Sequence, residues 1–86
     1  MQIVFKRTFV KNYKKLSKPD RALVDRSLEL FEENPLNPKL DNHPLSGRLK
    51  GKRAISAKFD LRIIFEEKDN YAVVIMLAVG AHSRVY

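Results

Sequence analysis

Three side chains able to do phosphate chemistry, His82, Arg84 and Tyr86, stand within five residues of one another, directly after the most apolar stretch of the chain. Imidazole titrates nearest neutrality, guanidinium is a permanent fork-shaped donor to phosphate oxygens, and phenol can donate or accept a proton. A second histidine, His43, sits in a Pro-rich connection, and Asp60 and Arg62 are two residues apart in an alternating segment. Together these supply what metal-free RNA cleavage demands. A 2′-hydroxyl must lose a proton, a crowded phosphate must be stabilised, and the leaving 5′-oxygen must gain a proton. Imidazole and carboxylate suit the proton transfers, Arg and Lys the phosphate charge, and an aromatic ring the stacking of a splayed base. For each there is an ordinary structural alternative: Asp60 and Arg62 as exposed same-face charges, Tyr86 as a packing anchor, the histidines as hydrogen-bonded surface groups.

Charge points to the same class of partner. The 86 residues carry 17 Lys and Arg against 10 Asp and Glu, a formal net charge of +7. Residues 43 to 62 concentrate it, with Arg48, Lys50, Lys52, Arg53, Lys58 and Arg62 against Asp60 alone. A strip of this kind attracts polyanions by counterion release and steering, so a nucleic acid ranks first, an acidic protein next and anionic lipid last. Two distant histidines lack the ligand spacing of a metal site, and no cofactor signature is present. The only glycines, Gly47, Gly51 and Gly80, form no phosphate-cradling loop. With no cysteine there is no disulfide framework or thiolate site. The first residues lack a signal-peptide core, and the longest apolar run, Tyr71 to Val79, is far too short to span a bilayer. The reading is a cytoplasmic protein that engages no membrane.

The elements that must position these groups are legible in the periodicity. Ile3 and Phe5 alternate with polar neighbours, predicting a first strand, with Thr8 as the N-cap of a helix after it. Phe9, Val10, Tyr13 and Leu16 then recur at helical spacing. Ser17 with Asp20 has capping-box spacing and opens a second helix striped by Leu23, Val24, Leu28, Leu30 and Phe31, which Asn34-Pro35 ends. Residues 35 to 47 read as an irregular connection. Strands are predicted near Lys52 to Ala57, over Lys58 to Ile63 and over Tyr71 to Val79, with a turn at Lys68-Asp69-Asn70. In the middle one, Phe59, Leu61 and Ile63 are expected to face the core, and Lys58, Asp60 and Arg62 the open side. The expected fold is one α+β domain over residues 1–86. An N-terminal strand and a helical hairpin precede a three-stranded antiparallel meander, giving a four-stranded sheet with the helices on one face. Its bare face then becomes a polar platform.

Segments of this chain resemble a known family. Phe5-Lys6-Arg7-Thr8-Phe9-Val10-Lys11-Asn12-Tyr13-Lys14-Lys15-Leu16, His43-Pro44-Leu45-Ser46-Gly47 followed by Leu49-Lys50-Gly51-Lys52-Arg53, and Val79-Gly80-Ala81-His82-Ser83 with an aromatic end are similar to the RelE/ParE toxins, most closely the YafQ-like messenger-RNA interferases. The resemblance implies a metal-independent endoribonuclease that cuts messenger RNA in the ribosomal A site and is neutralised by a cognate antitoxin. It implies no cofactor. By position, His43 resembles the histidine of the branch's His-Pro-Leu motif, Asp60 its mid-strand aspartate, His82 its C-terminal histidine and Tyr86 its terminal aromatic. Arg62 resembles the phosphate-stabilising arginine of the RelE branch. Ser56 stands where a histidine is usual, and Ala54 where an acid is common. The implied roles are proton transfer by His82 and Asp60 with His43 assisting, and stacking by Tyr86. Phosphate contacts fall to Arg62, Arg48, Lys50, Lys52, Arg53, Lys58 and Arg84. Two other classes share the architecture or the charge: a ParE-like toxin that inhibits DNA gyrase without catalysis, and a basic RNA- or ribosome-binding module.

Overall fold

The computed structural model describes residues 1–86. The chain runs β1 (Gln2–Phe5), α1 (Arg7–Lys15), α2 (Lys18–Glu33), β2 (His43–Pro44), β3 (Arg53–Lys58), β4 (Leu61–Lys68), β5 (Val73–Ala81) and a single terminal turn, α3 (His82–Val85). Ser17 caps α2 as expected, its Oγ accepting the backbone N–H of Asp20 at 3.2 Å. α1 instead begins after Lys6, which makes no side-chain cap, and Thr8 lies inside the helix.

The sheet has five strands in the order β1-β5-β4-β3-β2, one more than expected, because His43 and Pro44 pair with Ala54 and Arg53 at the edge. β1 lies parallel to β5, while the remaining pairs are antiparallel. α1 packs on β5 and α2 on β3. Phe9 of α1 and Val24 and Phe31 of α2 meet Ile55, Leu61, Ile63, Phe65, Val74, Met76 and Val79 in the core. Along α2 the buried line is Val24, Ser27 and Phe31, whereas Leu23 on the expected stripe is exposed. Phe31 stands edge-on to both Phe65 and Tyr71, with centroids 5.0 and 6.0 Å away, an arrangement that lets ring edges meet ring faces. No helix is long and apolar enough to cross a membrane.

The middle strand differs from its expected form in a way that matters for the site. Residues 58 to 63 do not make one strand. Lys58 ends β3, Phe59 and Asp60 form the two-residue turn, and Leu61 starts β4 opposite Lys58. Leu61 and Ile63 are buried as expected, but Phe59 is 92% exposed and Asp60 is not on the platform with Arg62. The turn carries neither glycine nor proline, and Asp60 is its only turn-favouring residue type, which a single aspartate within an alternating run does not reveal.

Candidate functional site

Directly paired residues in a sheet share a face. Two cross-strand rows therefore define the side away from α1 and α2: His43, Ala54, Ile64 and Ala78 in one, Ser56, Arg62 and Gly80 in the next. Leu77 is the extra residue in β5 that lets Met76 pair with Phe65 and Ala78 with Ile64, rephasing the strand so that its end stays in step with this face. Alanine and glycine keep the floor low, but Ala54 and Ile64 are buried, so this face is covered there and not bare as expected. At Gly80 a Cβ would come within 3.3 Å of Val85 Cγ1, so the missing side chain lets α3 fold closely over the strand end.

That fold-back delivers Tyr86 and His82 to the platform. Their rings lie 4.1 Å apart, and an Arg48 guanidinium nitrogen donates to the main-chain oxygen of Tyr86 at 2.7 Å. His43, Pro44, Leu45, Ser46, Arg48, Leu49 and Tyr86 line a groove of about 360 Å³. The Tyr86 hydroxyl is buried, and no donor or acceptor is placed at hydrogen-bonding geometry to it. Burial pushes its ionisation above the ordinary value of 10.0; the charge of the Arg62 guanidinium close by opposes the shift, and Asp41 adds to it. The Arg62 guanidinium also approaches the phenol oxygen as a donor, which further opposes the shift, so what the neutral phenol lacks is an acceptor for its own proton.

Arg62 is aimed by its neighbours. One of its guanidinium nitrogens donates to Ser56 Oγ and to the Lys58 carbonyl, the latter at 3.0 Å. Ser56 in turn donates to the same carbonyl at 3.0 Å. Ser56 thus serves here to orient an arginine. His43 is oriented too: its Nδ1 lies 2.8 Å from the main-chain oxygen of Asp41, which fixes Nδ1–H as the donor and leaves Nε2 as the free nitrogen. Asp41 adopts a left-handed backbone, φ 50°, and places a carboxylate oxygen 3.9 Å from the same Nδ1. Sequence reasoning misses Asp41; its signal is the Asp-Asn pair before His43, residue types that tolerate that conformation.

The other expected site residues separate from this cluster. Asp60 lies on a second groove of about 470 Å³, shared with Lys15, Asp20, Lys58 and Arg84, on the side of α1 and α2. Lys58 reaches Asp20 at 3.0 Å and Asp60 at 4.0 Å, and the hydrogen bond to Asp20 raises its pKa. Only the main chain of Asp60 touches the platform elements, accepting the N–H of His82 at 3.0 Å. Lys52 pairs with Glu66 at 3.6 Å. Arg53 donates to Asn42 at 2.8 Å, and Asn42 donates to the Pro35 carbonyl and the Tyr71 hydroxyl. Lys50 is exposed with no ion-pair partner. No three His, Asp or Glu side chains converge on a common point.

Known proteins share this architecture. YafQ from E. coli superposes with a TM-score of 0.84 at 22% identity, over 99% of this chain and 97% of that one. A metal-bound toxin from Helicobacter pylori gives 0.79 at 31% identity, over 100% and 99% of the two chains. The toxin in the E. coli DinJ–YafQ toxin–antitoxin complex gives 0.80 at 21% identity, over 99% and 96%. No curated protein sequence matches the chain. The family model described as the bacterial toxin of type II toxin–antitoxin system, YafQ, matches residues 1–86, and the chain therefore belongs to the YafQ toxins.

Proposed function

We propose that this toxin is a metal-independent endoribonuclease that cuts messenger RNA, on the ribosome, by attack of a 2′-hydroxyl on the adjacent phosphate. One observation carries the reading: two imidazoles, two guanidiniums and a phenol whose proton lacks an acceptor are gathered at one end of the sheet face turned away from α1 and α2. His82 and His43 transfer the protons, Nε2 of His43 being free to do so. Arg62, with Arg48 beside it, takes the developing phosphate charge, and Tyr86 donates to a phosphate oxygen or braces the nucleotide. Asp60, at the hairpin tip and turned to the other groove, is outside this set, and its part in the reaction is holding α3 through its carbonyl. The cytoplasm is where such a substrate is met.

The partner is an antitoxin, as in the DinJ–YafQ complex. An acidic amphipathic segment fits the surface this chain leaves open. Met1, Val4, Phe5 and Val10 are exposed beside a groove of about 230 Å³ between α1 and α2, lined by Phe5, Phe9, Val10, Tyr13 and Leu28, with Lys6, Arg7 and Lys11 nearby. Mapping of RNA ends after brief induction tests the chemistry. The expected products carry a 2′,3′-cyclic phosphate or 3′-phosphate and a 5′-hydroxyl, and folded His82→Ala should cut about 10²-fold more slowly. Intact messenger RNA with accumulated DNA breaks would instead assign the toxin to gyrase.

A further inference from the structure

Phe59 is the most exposed apolar side chain of the molecule, 92% accessible against 62% for Leu36. Scattered surface hydrophobics are normal, but the position of this one is not. It is the first central residue of the turn between β3 and β4, a place where Pro is the residue the backbone favours and a large aromatic ring contributes nothing to it. Neither Phe59 nor Asp60 takes a positive φ, so the turn does not use the conformation that closes hairpins most readily. An aromatic ring there does nothing for the turn and packs on nothing.

Its surroundings are those of a nucleotide contact. The Lys58 carbonyl beside it accepts from Arg62, whose guanidinium lies near the Tyr86 hydroxyl. The Asp60 carbonyl on its other side ties the tip to α3, which carries His82 and leads into Tyr86. This terminal segment also borders both grooves, Tyr86 the first and Arg84 and Val85 the second. The tip thus adjoins the cluster that would hold a scissile phosphate, with Lys58, Arg62 and Arg84 around it.

Resting on the ribonuclease reading, we propose that Phe59 is a positioning residue whose ring stacks on the unpaired base of a nucleotide neighbouring the cleaved one. A flat, solvated ring at the tip of the strand pair that carries Arg62 captures any base by its π-face and fixes the strand relative to His82 and Arg62.

The chain has no tryptophan, so Phe59→Trp installs a single emitting reporter. The probe is a short RNA blocked by 2′-deoxy sugars, offered free and as the messenger of programmed ribosomes, with a series carrying one abasic nucleotide at each position. Emission from the introduced indole should be quenched on binding, and Phe59→Ala should weaken binding about 10-fold, within the about 5- to 150-fold expected for one stacked base. One abasic position should abolish the difference between wild type and Phe59→Ala, which a merely structural role would not do. Equal affinities of wild type and Phe59→Ala, with cleavage intact, would overturn the stacking and leave the ribonuclease standing. So would a variant that keeps its RNA affinity but loses antitoxin. A wild type that neither binds nor cuts RNA in either setting would overturn both.

Discussion

The buried phenol of Tyr86 separates two roles that usually travel together. Its oxygen is shut from solvent with only the Arg62 guanidinium close by and no acceptor for its proton, so the folded state carries a desolvation of about 1–3 kcal/mol that is at best partly offset. In Tyr86→Phe that penalty disappears while the ring remains to pack, tilted, against His82 at 4.1 Å. The variant should therefore melt no lower than wild type. A gain of about 1 kcal/mol would raise Tm by roughly 4–8 °C in a domain of this size. Cleavage should move the other way: the proton has no acceptor within the fold and lies beside Arg62, where a docked phosphate would meet it, so its removal should slow single-turnover cutting about 10-fold or more. The assays are calorimetry on the free toxin and end-labelled messenger cleavage under single-turnover conditions. A fall in Tm of about 4 °C or more would mean that the hydroxyl is satisfied in the fold after all. An unchanged rate with unchanged Tm would mean that it is idle.

Removing the Ser56 hydroxyl should misdirect Arg62, which keeps only the Lys58 carbonyl. Ser56→Ala is expected to lower the cleavage rate about 3- to 10-fold with stability changed by about 1 kcal/mol at most, and Ser56→Thr to restore it; full activity in the alanine variant would sink the orienting role. At high pH the fold should weaken. Tyr13 is raised above 10.0 chiefly by donating to Asp25 at 2.6 Å, and Tyr86 by burial. A folded-state pKa above the unfolded one gives stability that is whole below about pH 10 and lost as pH rises through the folded value. Urea melts from pH 8 to 11 should show this fall, and Tyr13→Phe should make it shallower; an identical slope in the variant would refute the Tyr13–Asp25 contribution.

Helix α2 and strand β5 are plain in the sequence because each satisfies several constraints at once. Ser17, Pro19 and Asp20 start α2, Asn34-Pro35 ends it, and Val24, Leu28 and Phe31 set its phase. β5 is apolar throughout because β1 and β4 flank it. β2 is hidden for the opposite reason. Two residues, one a proline at the sheet edge, show no period to read, and only the partner strand makes them a strand. The parallel pairing of β1 is likewise set by tertiary packing: α1 and α2 cover one face, and the chain returns along β5 beside its own start.

The site is half legible, and the half that fails shows where a pattern stops carrying information. Residue type alone names His43, Arg62, His82 and Tyr86, and the structure brings them to one end of the platform because pairing register places His43 and Arg62 while α3 folds back the other two. Counting alternate residues puts Asp60 with them, which holds only while the backbone stays extended. The two-residue turn pairs Lys58 with Leu61, so the residues that share a face change parity there, while the polar–apolar alternation of Lys58 to Ile63 in the sequence runs on unbroken through the hairpin tip. The usual warning is a pair of turn residues, and here Asp60 alone is one, with phenylalanine in the first place. A hairpin closed by Asn-Gly would be both easier to read and easier to form. That the tip instead exposes an aromatic ring is the local conflict expected where binding, rather than folding, governs the residue.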